Sequence, residues 1–310
     1  MKIVSLLPSA TEIVYALGLG DDLVAVSHEC DFPVEARSKP RITRALVDSD
    51  QPSETIDHEV REKLHEAGTL YDLDFELLKR LQPDLILTQQ LCSVCAVSYD
   101  YVKDAVKGLV HSPRVVNLEP MRLQDIFENI RTVARMTGCS EQGEAVISLL
   151  QRRVERVRSL VSRIDTRPRT FLMEWLHPPF SGGHWNGELV EIAGGVDRIA
   201  KSGQPSRRVE CQEILDFAAE IVVISCCGFS IDRTLREVAQ LKSVREWQCL
   251  PAVLNQHVFI ADGNQYFSRP GPRIIDSLEM LAVMIHPELA SEYQFPPVAF
   301  RKLHTNRQNS

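Results

Sequence analysis

The 310-residue chain has no long apolar run, because no uninterrupted stretch approaches the roughly 18 residues that a membrane-spanning helix needs. After Lys2 only the short segment Ile3–Leu7 precedes Pro8, and Glu12 interrupts any longer apolar region. This pattern is typical of a strand followed by a turn and not of a secretory signal. We therefore expect a cytoplasmic location, with a periplasmic or cell-surface location as the alternative if the chain is a mature form.

Common enzyme signatures are also missing. The sequence contains no Gly-x-Ser-x-Gly, no His-Glu-x-x-His and no P-loop lysine. Gly18-Leu19-Gly20 follows a predicted helix and lacks the third glycine of a dinucleotide-binding fingerprint. Glu29 and Glu174 are the only carboxylates in loops that we expect to line a site, which is little for acid–base catalysis. We expect no enzymatic activity and no required cofactor.

Excess positive charge is absent as well. The formal net charge is −7 and the isoelectric point is near 5.8, so no basic surface is expected to neutralise nucleic-acid phosphates. The densest basic run, Gln151–Arg158, is interpreted as the solvent face of a helix. We expect neither a nucleic-acid partner nor insertion into a membrane.

The middle of the chain is rich in helix-forming residues. Between Gln124 and Arg163, apolar residues recur at three- and four-residue spacing, and the pattern breaks only at Gly138–Glu141. Ser140 is a candidate N-cap for a second helix that would be roughly 36 Å long. Short apolar strands alternate with helices on both sides of this segment.

These patterns predict an α/β fold with two mainly parallel-sheet lobes that are bridged by a long backbone helix. Such an arrangement implies a cleft between the two lobes. The expected division is residues 1–121 for the N-terminal lobe, 122–165 for the bridging helical segment, 166–289 for the C-terminal lobe and 290–310 for a weakly ordered tail.

Aromatic, amide and cysteine side chains are concentrated in the loops that follow the predicted strands. Parallel sheets bind ligands beyond the carboxyl ends of their strands, and a loop aromatic has no core to fill. Ligand contact is therefore the favoured interpretation, and closure of the interface between the lobes is the alternative. Prolines follow Ser268 at a predicted helix start, and they have no backbone N–H groups to donate to a phosphate. Arg269 would therefore have to supply any anion contact itself.

Two further features suggest metal or redox chemistry. Cys92 and Cys95 have the spacing of a redox pair or half a zinc site, but no second Cys-x-x-Cys is present, and packing of two buried thiols is favoured. His28, alone or with Cys30, could ligate a metal, and imidazole suits the axial position of a metallo-tetrapyrrole. For a single loop histidine, a hydrogen-bonding role is favoured over ligation.

Three segments of the sequence resemble the cobalamin- and iron-chelate-binding proteins of ABC importers, known as the class III or helical-backbone solute-binding family. The segments are Lys2–Glu12, Leu85–Gln89 and Tyr266–Pro272. The similarity spans about residues 1–288. Leu91-Cys92-Ser93-Val94-Cys95 points to the branch usually labelled cobalamin-binding, which carries Leu-Cys-x-x-Cys at this position.

The resemblance implies a non-enzymatic binding protein with two α/β lobes, one long bridging helix and a ligand held in a shallow, largely preformed cleft. The ligand would be cobalamin or another metal chelate, and an ABC permease would be the partner of an exported form. The expected contacts, carried over by position, are Ser9, His28, Gln90, Trp175, Trp185, Phe229, Tyr266 and Arg269. The alternative hypothesis is a Cys/His-dependent metal-binding or redox protein that uses the same cleft.

Overall fold

A computed structural model of the chain describes residues 1–67, 69–89, 99–109 and 111–304. The chain divides into two compact units. The first comprises Met1–Gln51, Thr55–Pro120 and Gln124–Leu149, and the second comprises Pro52–Glu54, Met121–Leu123 and Leu150–Ser310. The predicted bridging segment 122–165 is thus shared between the units, and the four domain boundaries expected from the sequence stay a prediction.

The chain up to the end of the long helix alternates strands and helices. Its elements are β1 Ile3–Ser5, α1 Pro8–Ala16, β2 Leu23–Val26, β3 Thr43–Ala45, α2 Ser53–Ala67, β4 Tyr71–Leu73, α3 Phe75–Leu81, β5 Leu85–Thr88, α4 Tyr99–Ala105, β6 Arg114–Asn117, α5 Leu123–Met136 and α6 Ser140–Val161.

The described part of the first unit contains a four-stranded sheet in the order β2-β1-β5-β6, with all neighbours parallel. Every residue of β1 and β5 is buried, which agrees with their apolar sequences, since strands of a parallel sheet are covered on both faces. Strands β3 and β4 form a separate antiparallel pair.

The rest of the chain repeats this alternation. Its elements are β7 Thr170–Trp175, β8 Phe180–Ser181, α7 Asn186–Ile192, α8 Cys211–Phe217, β9 Ile221–Ile224, α9 Ile231–Leu241, α10 Arg245–Gln248, α11 Pro251–Leu254, β10 Val258–Ala261, α12 Ile274–Ile285 and β11 Phe300–Lys302. Among the described residues of this unit the sheet order is β11-β10-β9-β7-β8. The inner strands β10, β9 and β7 are parallel, whereas β11 and β8 pair antiparallel at the two edges. Both units therefore have the predicted α/β class.

The last part of the chain differs from the weakly ordered tail expected for residues 290–310. Strand β11 pairs with β10, which would otherwise be an edge strand with unpaired backbone groups. The ring of Phe300 packs edge-on against Phe259 and Phe295, with centroid distances of 6.5 and 5.7 Å. Edge pairing and aromatic contacts thus order this segment despite its two prolines, up to the last described residue, His304.

Helix α6 is the long second helix that the sequence predicts from Ser140. In the second unit its residues Val154, Val157 and Val161 are buried. Beside this apolar stripe, Arg153 donates to both carboxylate oxygens of Glu279 at 2.9 and 2.6 Å. A third bond, to Asp276, completes an ionic attachment of α6 to α12. Nowhere in the described chain is a helix both long and apolar enough to cross a bilayer.

Gly194, just after α7, lies where the ends of three helices meet. Its φ of +87° is in the left-handed region, which disfavours residues with a Cβ. A Cβ atom here would lie 2.5 Å from Nε2 of His286 and 2.6 Å from Cγ1 of Val161. The position therefore requires glycine for two reasons, backbone conformation and close packing.

We expect Gly194→Ala to lower the free energy of unfolding by about 2–4 kcal/mol, as backbone strain and overpacking add. Gly228→Ala is the matched control, because Gly228 has a φ of +75° in the same unit with nothing within 4 Å of the added Cβ. Chemical denaturation should show the smaller loss for the control. Equal losses would mean that packing at Gly194 contributes nothing.

Asp197 gives the second unit a pH dependence. Its Oδ1 accepts from the backbone N–H groups of Ile199 and Ala200 at 2.8 and 3.0 Å, while Oδ2 is buried with no hydrogen-bond partner. Burial raises the pKa of Asp197 to about 6, against the opposing effect of these bonds. The folded state therefore holds this proton more tightly than the unfolded state, so ionisation lowers stability as the pH rises from about 4 to about 6.

We expect Asp197→Asn to remove this loss. Wild type should lose stability between pH 4 and pH 7, and the variant should not lose it. The difference in free energy of unfolding, Asp197→Asn minus wild type, should therefore increase by up to about 3 kcal/mol over this range. Denaturant titrations of both proteins at several pH values measure the difference. A difference independent of pH would contradict the assignment.

Candidate functional site

Three loops with predicted site residues lie at one edge of the second unit's sheet. Trp175 is the last residue of β7, Phe229 follows β9, and Tyr266 and Arg269 follow β10. These strands are parallel neighbours, so their carboxyl ends meet at the same edge. The structure brings Trp175 and Phe229 into contact, with ring centroids 4.9 Å apart and planes tilted by 49°.

Polar groups surround this aromatic pair. The Trp175 indole N–H donates to the carbonyl of Ser53 at 3.3 Å, and the Ser53 N–H donates to the Glu237 carboxylate. The guanidinium of Arg233 lies 4.5 Å from the centre of the Phe229 ring and pairs with Glu237 at 2.5 Å. Residues Pro52–Glu54 belong to the second unit, so all of these contacts lie within it.

Sequence reasoning missed Arg233 and Glu237. Both lie on α9, one helical turn apart, where the sequence suggests only a solvent-facing ion pair. One signal was available, because Glu237 lies one helical turn before the apolar Leu241, on the same face of α9, and is itself buried.

The segment after β10 is held by a buried carboxylate. Asp262 accepts from the N–H groups of Asn264 and Gln265 at 3.0 and 2.9 Å. Burial raises the pKa of Asp262, while these bonds and the charge of Arg269 act in the opposite direction. Arg269 is buried and donates to Oδ1 of Asn264 at 3.1 Å, and the guanidinium of Arg273 lies 5.5 Å from the centre of the Tyr266 ring.

Trp185 is placed differently from Trp175. Its side chain is only 4% exposed, and its indole N–H donates to the carbonyl of Phe267 at 2.8 Å. Phe267 has a φ of +62°, which turns the chain sharply between Tyr266 and Arg269. Trp185 thus supports the loop that carries two other candidate contacts, and its own contact with a ligand stays a prediction.

Glu174 also has a supporting position. Its Oε1 accepts from the N–H of Gly183 at 2.9 Å and from the side-chain amide of Asn186. Burial raises the pKa of Glu174, and these two bonds oppose the rise. The carboxylate ties the end of β7 to the segment that begins α7.

In the first unit the structure places Ser9 and His28 at the carboxyl ends of the adjacent parallel strands β1 and β2. Ser9 is buried in the first turn of α1. Thr43 Oγ1 accepts the His28 backbone N–H at 3.1 Å and bonds to Nδ1 of the ring at 2.8 Å. The other ring nitrogen, Nε2, lies 3.3 Å from a carboxylate oxygen of Glu29.

The suggested partner of His28 in metal binding has other contacts. Cys30 is fully buried, accepts a hydrogen bond from Thr11 at 3.1 Å and lies 3.2 Å from the Ser27 hydroxyl. Within the residues that the structure describes, no three His, Cys, Asp or Glu side chains form a potential metal site. Gln90, Cys92 and Cys95 lie outside the described residues, so their predicted roles stay predictions.

Comparison with known proteins defines the class of the chain. Residues 3–264 match the family described as periplasmic binding protein, and the chain belongs to this family. It is similar to the vitamin B12-binding protein of Vibrio cholerae, with 24% identity over 288 residues that cover 92% of this chain and 88% of the relative. The vitamin B12-binding protein of Yersinia pestis is 25% identical over 282 residues, which cover 90% and 84% of the two chains.

Solved structures share the fold. The periplasmic vitamin B12 binding protein BtuF of Vibrio cholerae has a TM-score of 0.67 and 24% identity, with 94% of this chain and 98% of that chain covered. A periplasmic heme binding protein from Pseudomonas aeruginosa has a TM-score of 0.69 and 16% identity, with 92% of each chain covered. The family assignment confirms the resemblance deduced from the sequence and makes the chain a binding protein rather than an enzyme.

We expect Trp185→Phe to lower the free energy of unfolding by about 1–3 kcal/mol, because it leaves the Phe267 carbonyl without its indole donor in a buried environment. Trp175→Phe is the matched control, since it removes a longer hydrogen bond from a half-buried indole. Denaturant unfolding should show the smaller effect for the control. The supporting role of Trp185 would be refuted if its replacement were the milder of the two.

Proposed function

We propose that the chain binds a corrinoid such as cobalamin, or a related metal chelate, without converting it, as a substrate-binding protein of the ABC-importer type or a cytoplasmic relative of one. The observation that carries this proposal is the Trp175–Phe229 pair at the carboxyl edge of a parallel sheet. The functions of the related proteins, vitamin B12 binding and heme binding, support it.

The chemistry of the aromatic edge suits a large, flat ligand. Aromatic rings bury apolar area with few rotatable bonds, and a macrocycle presents a matching apolar face. Trp175, Phe229 and Tyr266 supply rings on adjacent loops. In the ligand-free protein Trp175 is half-buried and presents the accessible ring, Phe229 packs against it at 3% exposure, and Tyr266 is 8% exposed. Arg269 supplies a cationic group that can bind amide or carboxylate oxygens at the periphery of a chelate.

His28 is the candidate for direct contact with the metal of a chelate. Its Nδ1 is bonded to Thr43, so Nε2 is the atom left for a metal, and binding would require this buried atom to exchange its contact with Glu29 for the ligand. Binding of a chelate with an open axial position should then give a spectral band that shifts in His28→Ala. An unchanged spectrum would show that His28 does not contact the metal, and it would leave the proposal of chelate binding unaffected.

The transport partner and the compartment are part of the same proposal. The relatives in this family are periplasmic binding proteins, and docking onto an ABC permease follows if the chain is exported. A cytoplasmic form would bind its chelate without such a partner. Cell fractionation with an antibody against the chain distinguishes the two locations.

Calorimetry with cyanocobalamin and, separately, with haemin tests the proposed function. We expect tight binding of at least one of them, accompanied by quenching of tryptophan emission. Trp175→Ala and Phe229→Ala should each weaken binding about 10- to 100-fold, as removal of a central aromatic contact does.

Phe217→Ala is the matched control for loss of an aromatic ring and should leave affinity unchanged. Phe217 is half-buried and is the last residue of α8, directly before β9 begins at Ile221, so it lies at the opposite, amino edge of the same sheet. Absence of binding to any corrinoid or haem, together with stoichiometric zinc or iron in the isolated protein, would overturn the proposal in favour of the Cys/His-dependent alternative.

A further inference from the structure

The carboxylate of Glu237 is connected to Trp175 through the main chain of one residue. Both of its oxygens accept from the Ser53 N–H, at 3.2 and 3.1 Å. The carbonyl of the same residue accepts the Trp175 indole N–H at 3.3 Å. Ser53 is thus held on both sides of its backbone, and the indole orientation depends on where Glu237 places it.

The same carboxylate is connected to Phe229 through Arg233. The ion pair between Arg233 and Glu237 measures 2.5 Å, and the two side chains are only 12% and 5% exposed. The guanidinium lies 4.5 Å from the centre of the Phe229 ring, which is within range of a cation–π interaction. Low exposure strengthens this interaction, and Glu237 fixes the guanidinium that makes it.

The two connections converge, because Trp175 and Phe229 are themselves in contact at 4.9 Å. We infer that Glu237 is a positioning residue that sets both rings of the candidate ligand face, one through Ser53 and one through Arg233. This inference rests on the proposed function for its effect on affinity. The orientation of the rings in the ligand-free protein can be tested independently.

The charge of Glu237 is compensated in two ways. Arg233 supplies a full positive charge, and the backbone N–H of Ser53 supplies a hydrogen-bond donor. A buried ion pair contributes little net stability compared with a well-packed apolar pair. Its contacts with both Ser53 and Arg233 are therefore better explained by positioning than by stability.

Glu237→Gln tests the inference directly. Glutamine keeps the length of the side chain and one acceptor oxygen, but removes the charge that holds Arg233. We expect the near-ultraviolet circular dichroism of the ligand-free protein to change and binding of cyanocobalamin to weaken about threefold to tenfold. Glu213→Gln is the matched control, because it breaks the exposed Arg207–Glu213 ion pair of the same unit and should change neither signal.

Arg233→Lys separates the two connections and serves if Glu237→Gln fails to fold. Lysine retains a positive charge beside Glu237 but lacks the planar guanidinium over Phe229. We expect cyanocobalamin to bind more weakly, while the contribution of Trp175 to the near-ultraviolet circular dichroism stays as in wild type. That contribution is the difference between the spectra measured with and without the additional change Trp175→Phe.

The outcomes are distinct. A folded Glu237→Gln or Arg233→Lys protein with wild-type circular dichroism and wild-type affinity would overturn the positioning role, even if its melting temperature fell. A changed spectrum in Glu237→Gln, in a protein whose wild type binds neither cyanocobalamin nor haemin, would support the positioning role and refute the proposed function.

Discussion

Parallel strand pairing is the constraint from which the candidate site follows. A parallel neighbour can be reached only by a crossover, so each strand must leave the sheet at the same edge as its neighbours. In the second unit this forces the loops after β7, β9 and β10 together, and with them Trp175, Phe229 and Tyr266. In the first unit it places Ser9 and His28 after adjacent strands. The antiparallel strands β8 and β11 take the two edges of the second sheet and leave this arrangement intact.

Within that frame, buried carboxylates hold the loops of the second unit. Glu174 fixes the segment before α7, Asp262 fixes the turn after β10, and Glu237 fixes Ser53 and Arg233. Each accepts from at least one backbone N–H group in a region of low exposure. Burial raises the pKa of Glu174 and of Asp262, and the hydrogen bonds oppose that rise. The Arg153–Glu279 pair does comparable work away from the site, where it orients α6 on α12.

Elements with a local signature were predictable, and contacts between distant residues were not. The long helix forms from Ser140 as predicted, since apolar residues at three- and four-residue spacing follow a candidate N-cap. Strands β3, β8 and β11 are two or three residues long and exist only through their partners, so the sequence carried no pattern for them. Similarly, Trp175 and Trp185 look alike in sequence, yet one pairs with Phe229 and the other supports Phe267. The contact between Ser53 and Glu237 spans 184 positions.

A site held in this way is suited to a rigid ligand more than to a small flexible one. Side chains already fixed by hydrogen bonds lose little conformational entropy on binding, so more of the contact energy appears as affinity. The same fixation prevents the rings from closing around a small solute, because Phe229 and Tyr266 are already buried and only Trp175 is partly accessible. Under the proposed function, a broad, stiff macrocycle would lie against the accessible ring without requiring it to move. The buried polar contacts of the second unit and the aromatic rings that they hold therefore favour the same class of ligand.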